Sequence, residues 1–161
     1  MGEFVAVTGV RDRSVLATLG GVVAETPSPL DANADATVGD LADGPTLALV
    51  GLAGRAAARC YELSSVERWR LALARAVAMR RVPVIVDCSR GTPAPRPGLG
   101  TLLLGLRDAG ATLFAVTDDD ELVGYADRVV TARNGRLTAG PSGAATLDRT
   151  RVIHELLRGM T

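Results

Sequence analysis

The chain has 161 residues, 47% of them hydrophobic, which suits one globular domain with a packed core. Eighteen basic residues balance eighteen acidic ones, so no long-range field gathers nucleic acid or an anionic membrane surface, and sequence-independent nucleic-acid binding is not expected. No apolar run approaches the roughly 20 residues of a spanning helix, and the opening MGEFVAVTGV lacks the charged-then-apolar layout of a secretion signal; no membrane insertion is expected, and the cytoplasm is the expected compartment.

Cys60 and Cys88 are too few for a disulfide scaffold or a cysteine-rich metal site, and both read as buried or inert thiols. The chain contains no Lys and no Gln, and His154 is its single histidine.

Glu3 to Thr8 (EFVAVT) reads as a buried strand meeting a turn at Gly9, and Ser14 to Leu19 as a short helix closed by Gly20 and Gly21. Residues 25–45, with Pro27, Pro29 and Pro45 among Asp, Asn and Gly, are expected to form an irregular loop, with room for a brief helix at Val38 to Ala42. From Leu63, helical spacing of Val66, Trp69, Leu73, Ala76 and Val77 predicts a helix, and Ser64 followed by Glu67 is a capping-box signature. Val82 to Val86 (VPVIV) reads as a central parallel strand buried on both faces and ending at Asp87.

The Pro- and Gly-rich stretch 91–100 is a loop, followed by a helix at Leu102 to Ala109 and a strand at Thr112 to Val116. A short helix is expected at Glu121 to Ala126. Arg128 to Ala132 and Arg136 to Ala139 form a hairpin across Asn134 and Gly135. Residues 147–160 read as an amphipathic helix with Val152, Ile153, Leu156 and Leu157 on one face. Strands alternating with helices predict an α/β fold, a mostly parallel sheet covered on both sides, within a single domain spanning 1–161.

Five stretches, in order, resemble the ATPase subunit of ABC transporters. GEFVAVTG is similar to the first strand and opening glycine of the phosphate-binding loop, VGLAGRAAARCYELS to the run entering the LSGGQ signature, and ERWRLALARAVAMRRVPVIVD to the signature helix and Walker B strand. LRDAGATLFAVTDD resembles the segment leading to the switch histidine, and ADRVVTARNGRL the hairpin after it. The resemblance implies a P-loop NTPase-like core. Only about 40 residues separate Gly21 from the signature region, so the family's helical subdomain is expected to be absent or greatly reduced.

The positions that the resemblance makes catalytic depart from the family at almost every station. A working GxxxxGK[ST] loop wraps phosphates with backbone amides and meets their charge with Lys. Here GVRDRSVL is two residues shorter, with Gly9 at its head, Arg13 before Ser14 where the Lys would stand, and Asp12 adding a like charge. Guanidinium is planar and bulky, a poor substitute in a tight nest. The signature becomes Leu63-Ser64-Ser65-Val66-Glu67, so Ser64 survives but side chains replace both glycines.

Asp87 matches the Walker B aspartate, a magnesium site only if Mg-nucleotide binds, and Cys88 stands where the catalytic Glu would be. A thiol near its reference pKa of about 8.5 is no general base at neutral pH without activation. The switch-histidine position is Asp118, in a run with Asp119 and Asp120 that reads as a solvated loop and helix start; His154 matches no motif. With no Gln, the residue that couples ATP to membrane subunits is absent. The expectation is a non-hydrolysing pseudo-ATPase with no obligatory cofactor, working through protein contacts with a second copy, an ABC-type ATPase or a permease. The alternative is a nucleotide sensor or ATP-binding subunit that keeps weak ATP binding through Gly9, Arg13, Ser14 and Asp87.

Overall fold

The computed structural model describes residues 2–11, 13–24, 35–79, 83–89 and 92–139. Asp12, the expected helix at 147–160 and His154 lie outside them, as does the first part of the expected loop, residues 25–34.

Six strands form one sheet: β1 (Glu3–Thr8), β2 (Val22–Val23), β3 (Val84–Asp87), β4 (Thr112–Val116), β5 (Arg128–Arg133) and β6 (Arg136–Ala139). Their order is β2-β3-β4-β1-β5-β6, with every pairing parallel except the β5–β6 hairpin. β1 is central because Phe4, Val5, Ala6 and Val7 are all fully buried, the continuous apolar run that a strand covered on both faces requires.

Side chains alternate between the two faces and align across strands. Phe4, Leu113 and Val84 are in register and belong to one core, while Val5, Phe114 and Ile85, one residue on, belong to the other. The first core is covered by helices α3 (Ser65–Ala78) and α4 (Leu99–Asp108), which bury Leu71, Leu73, Leu103 and Leu106. Against the second pack Leu16 and Leu19 of a 3₁₀ helix, Arg13–Leu19, and Leu137 of the hairpin.

The ends of these elements follow local chemistry. Ser64 caps α3, taking the N–H of Glu67 at 3.2 Å while Glu67 Oε2 accepts the Ser64 N–H at 2.8 Å, the reciprocal box expected from the sequence. Asn134 and Gly135 both have positive φ, 49° and 71°, which the tight β5–β6 turn demands.

Several boundaries differ from the sequence reading. The helix expected at Ser14 to Leu19 is the 3₁₀ helix, and the strand expected from Val82 begins at Val84, after Pro83. Helix α4 starts at Leu99, three residues before Leu102, because Gly98 at φ 98° turns the chain into it. The short helix expected at Glu121 to Ala126 is α5 (Asp120–Gly124), started by Asp119, whose side chain accepts from the Glu121 N–H.

The brief helix allowed for at Val38 to Ala42 is α1 (Val38–Leu41), but the stretch expected to be irregular up to Pro45 also contains the start of α2 (Gly44–Leu49). Pro45 lies in the first turn of α2, where a missing N–H costs nothing, and Asp43 caps that helix by accepting from Thr46 N–H at 2.7 Å.

Candidate functional site

Parallel strands deliver their loops to one edge, the carboxyl end of the sheet, where α/β folds place ligands. Gly9 follows β1, Asp87 is the last residue of β3, Asp118 follows β4, and Arg133 ends β5. Of the residues singled out from the sequence, Gly9, Arg13, Ser14 and Asp87 therefore share this edge. Gly9 has φ 69°, a turn that glycine takes without strain, and Ser14 is an exposed residue of the following 3₁₀ helix. Ser64 belongs elsewhere, to the α3 cap, and its hydroxyl is engaged with Glu67.

The loop after β1 already meets an acid. Gly9 N–H donates to Asp118 Oδ1 at 3.1 Å, which the parallel pairing of β1 with β4 makes possible. A carboxylate thus accepts from the first amide of the loop, at the head of the segment where the family's loop would wrap phosphate. Asp87 is turned into its own loop: its Oδ1 accepts from Ser89 N–H at 3.0 Å and from Ser89 Oγ at 2.5 Å.

Cys88, at the position of the catalytic Glu, has no exposed surface. Its N–H donates to Val116 O at 2.9 Å, locking it beside the end of β4. Burial first, and then the neighbouring Asp87 carboxylate, push its thiol up to about 12 against an opposing pull from Arg96. Such a thiol stays protonated through neutral pH and faces the core, so it neither abstracts a proton from water nor reacts as a nucleophile. Cys60 is also buried and free.

Arg96, which the sequence reading did not single out, ties this edge together. Its guanidinium donates to Cys88 O at 2.5 Å and to Asp119 Oδ2 at 2.6 Å, bridging the loop after β3 to the start of α5. Desolvation works to raise Asp119, but the amides of Glu121 and Leu122 and the Arg96 guanidinium outweigh it and hold the carboxyl below its usual range. Asp119 is thus a structural cap. No group of three or more metal-ligating side chains is present among the described residues, and the Asp118 to Asp120 run forms none.

On the other flank of β1, a cleft of about 630 Å³ opens between the loop after β1 and the hairpin turn, lined by Gly9, Arg11, Val15, Thr131, Arg133 and Asn134 among others. Thr8 Oγ1 and Thr131 Oγ1 lie 3.1 Å apart at its strand side. Arg11 belongs to the GVRDRSVL stretch and Arg133 to the ADRVVTARNGRL hairpin, but no signal in the sequence shows that the two border one cleft. Among the described residues no helix is long and apolar enough to cross a membrane.

No protein-family model matches the chain. It is 39% identical over 94 residues to the lipoprotein-releasing system ATP-binding protein LolD of Oleidesulfovibrio alaskensis, a match covering 56% of this chain and 41% of LolD. It is 35% identical over 116 residues to the macrolide export ATP-binding/permease protein MacB of Chlorobium luteolum, covering 64% of this chain and 18% of MacB. The matched segment therefore spans less than half the length of either relative. Among solved structures, cbiO1 from Clostridium perfringens, part of the ABC transporter complex cbiONQ, superposes with a TM-score of 0.65 at 17% identity, covering 84% of this chain and 75% of that one.

Proposed function

We propose that this chain, whose homologues are ABC transporter ATP-binding proteins and whose fold is that of their P-loop cassettes, is a non-hydrolysing member of that group that acts through protein contacts, as an accessory or regulatory subunit of a transport-related system. The observation that carries this reading is Cys88: the position from which a carboxylate would activate water holds a fully buried thiol, pushed up to about 12. Its backbone is fixed on both sides, the N–H by Val116 O and the carbonyl by the Arg96 guanidinium.

Two further features support it. The Asp118 carboxylate on the Gly9 amide opposes an incoming phosphate. Ser65 and the branched Val66 replace the signature glycines that, in the resemblance, admit the partner's nucleotide. With hydrolysis lost, the retained sheet serves as a scaffold for a second copy, an ABC-type ATPase or a permease, the last in keeping with the ATP-binding/permease pairing in MacB's name.

Incubation with ATP and magnesium tests the reading, with phosphate release no faster than in an Asp87→Ala control as the expected result. Turnover that exceeds this control and disappears in Asp87→Ala overturns it.

A second reading, weak ATP binding without hydrolysis, is favoured by Asp87 at the end of β3 and Ser14 at the start of the 3₁₀ helix, the positions from which the family meets magnesium and phosphate. Calorimetric titration with Mg-ATP decides between the two. Saturable heat that Asp87→Asn weakens supports the second reading, and no heat at millimolar ligand removes it.

A further inference from the structure

The chain turns sharply after β3. Ser89 O accepts from Thr92 N–H at 3.3 Å and from Thr92 Oγ1 at 2.9 Å, and Ala94, farther along, is buried in the same core as Cys88 and Leu122 of α5. Pro93, Pro95 and Pro97 supply no N–H, so the stretch 92–98 has few backbone donors with which to fasten itself to the sheet. A side chain reaches across instead. The Arg96 guanidinium donates to Cys88 O at 2.5 Å and to Asp119 Oδ2 at 2.6 Å, joining the end of β3 to the start of α5.

The two sides of this junction are held differently. Cys88 has a tie that does not involve Arg96, its N–H on Val116 O at 2.9 Å, so the strand end stays paired with β4 when the guanidinium lets go. The Arg96–Asp119 pair is partly exposed, 36% and 24% by side chain, and therefore open to screening by salt. The grip on 92–98 is thus weaker than the grip on the strand beneath it.

We propose that Arg96 is a latch: while its guanidinium holds Cys88 O and Asp119, the segment 92–98 is shut over the end of β3, and when that grip is broken the segment opens locally and gives solvent a path to the Cys88 thiol with the sheet still folded. The chain thereby carries a concealed nucleophile beside Asp87 whose exposure is set by one ion pair. Once water reaches it, the thiol loses the burial that holds its proton and becomes open to alkylation at mildly alkaline pH. The latch stands whether or not the chain turns over ATP.

Iodoacetamide labelling of the folded full chain, read separately at Cys88 and Cys60 by mass spectrometry, tests this. Cys60 is buried and away from the latch, in the turn before α3, so it reports opening of the fold as a whole. Arg96→Gln should speed labelling of Cys88 about tenfold or more, as the loss of charge-assisted hydrogen bonds requires, and leave Cys60 unchanged. Asp119→Asn, which keeps an oxygen for the Glu121 N–H, should give a smaller rise at Cys88 alone, and the double variant should label little faster than Arg96→Gln. Arg107→Gln, which breaks ion pairs with Asp108 and Asp127 instead, should leave both cysteines unchanged.

In the parent chain, which needs no variant to fold, molar salt should raise the Cys88 rate severalfold over dilute buffer, because the reagent is neutral and the pair is screened. The latch is overturned by a Cys88 rate in Arg96→Gln that is unchanged or slower, the result if Arg96 acted only by its charge, which pulls the thiol pKa down. It is also overturned by Cys60 rising in step with Cys88, by an equal rise in Arg107→Gln, or by a parent Cys88 rate indifferent to salt.

Discussion

Gly9 donates its backbone N–H to Asp118 Oδ1 at 3.1 Å, so the head of the loop after β1 is held by an acid from the loop after β4. The pair is exposed, and its energy is modest, but its sign is decisive for anions. A carboxylate within hydrogen-bond distance of the amide a phosphate would seek opposes that phosphate by roughly 1 kcal/mol or more at short range, less in salt. Asp118→Asn should therefore strengthen pyrophosphate binding severalfold in dilute buffer, with the gain shrinking as salt is added. Calorimetry at two salt concentrations measures this; equal affinities in the two proteins contradict the role given to Asp118.

Cys88 gives the sharpest test of burial. Replacing it with Glu restores the family's residue in name but forces a carboxylate into a position with no exposed surface. The expected result is a loss of several kcal/mol of stability and no gain of ATP turnover, because a buried charge without a partner is costly. Cys88→Ala, which removes little volume, should cost far less. Denaturant midpoints of the two variants check this, and a Glu variant as stable as the parent contradicts the buried geometry.

The same thiol predicts a pH dependence. Its folded pKa, about 12, lies above the value of 9.0 for an unperturbed thiol. The folded state thus holds its proton more tightly, and this contribution is fully present below about pH 9 and lost as pH rises toward 12. Native chain should resist alkylation by iodoacetamide at pH 8 and become labelled once unfolded in denaturant. Rapid labelling of Cys88 in the folded chain contradicts this.

At the start of α3, Ser64→Ala should cost about 1 kcal/mol, lowering the melting midpoint by about 2–4 °C in a chain of this size. Glu67 adds a pH signature. The Ser64 backbone N–H above all, with its hydroxyl and Arg55, holds the carboxyl below its usual range against slight desolvation. A depressed acid stabilises above its unfolded pKa, and the benefit fades as pH falls through the folded value. The Ser64→Ala penalty should therefore shrink in acid, as thermal melts at neutral and acidic pH would show.

Gly100 is pinned by Tyr125. A Cβ at Gly100 would lie 2.6 Å from Tyr125 Cδ2 and 2.9 Å from its Cγ, so the ring must move bodily rather than at its tip. Gly100→Ala, which in an open helix would stabilise by roughly 0.5–1 kcal/mol, should here destabilise by about 1–3 kcal/mol. Gly100→Ala combined with Tyr125→Ala should recover much of that loss, and purely additive effects contradict the contact.

The elements with strong local signals were legible. EFVAVT ends at Gly9 and forms β1 with the expected bounds, TLFAV forms β4, and Asn134-Gly135 sets the hairpin turn, because each carries its own pattern and punctuation. Helix α2 was hidden because Gly44 and Pro45 read as breakers, whereas Pro in a first turn with Asp43 as cap is compatible with a helix. Val22–Val23 is too short to carry a signal, and its strand identity comes only from pairing with β3.

At the site, the sequence placed Cys88 and Asp118 at their stations and pointed to a buried thiol at Cys88, as found; Asp118 was expected in a solvated loop, and the bond it accepts from the Gly9 N–H depends on strands meeting across the sheet. Arg96 was illegible for the same reason, since the groups it bridges, Cys88 O and Asp119, come from the loops after β3 and β4 and no motif links it to them.

The most direct test is steady-state phosphate release from Mg-ATP, with Asp87→Ala measured alongside. The two rates should be indistinguishable. A rate well above that of Asp87→Ala would contradict it, because it would show that this edge still activates water despite the buried Cys88.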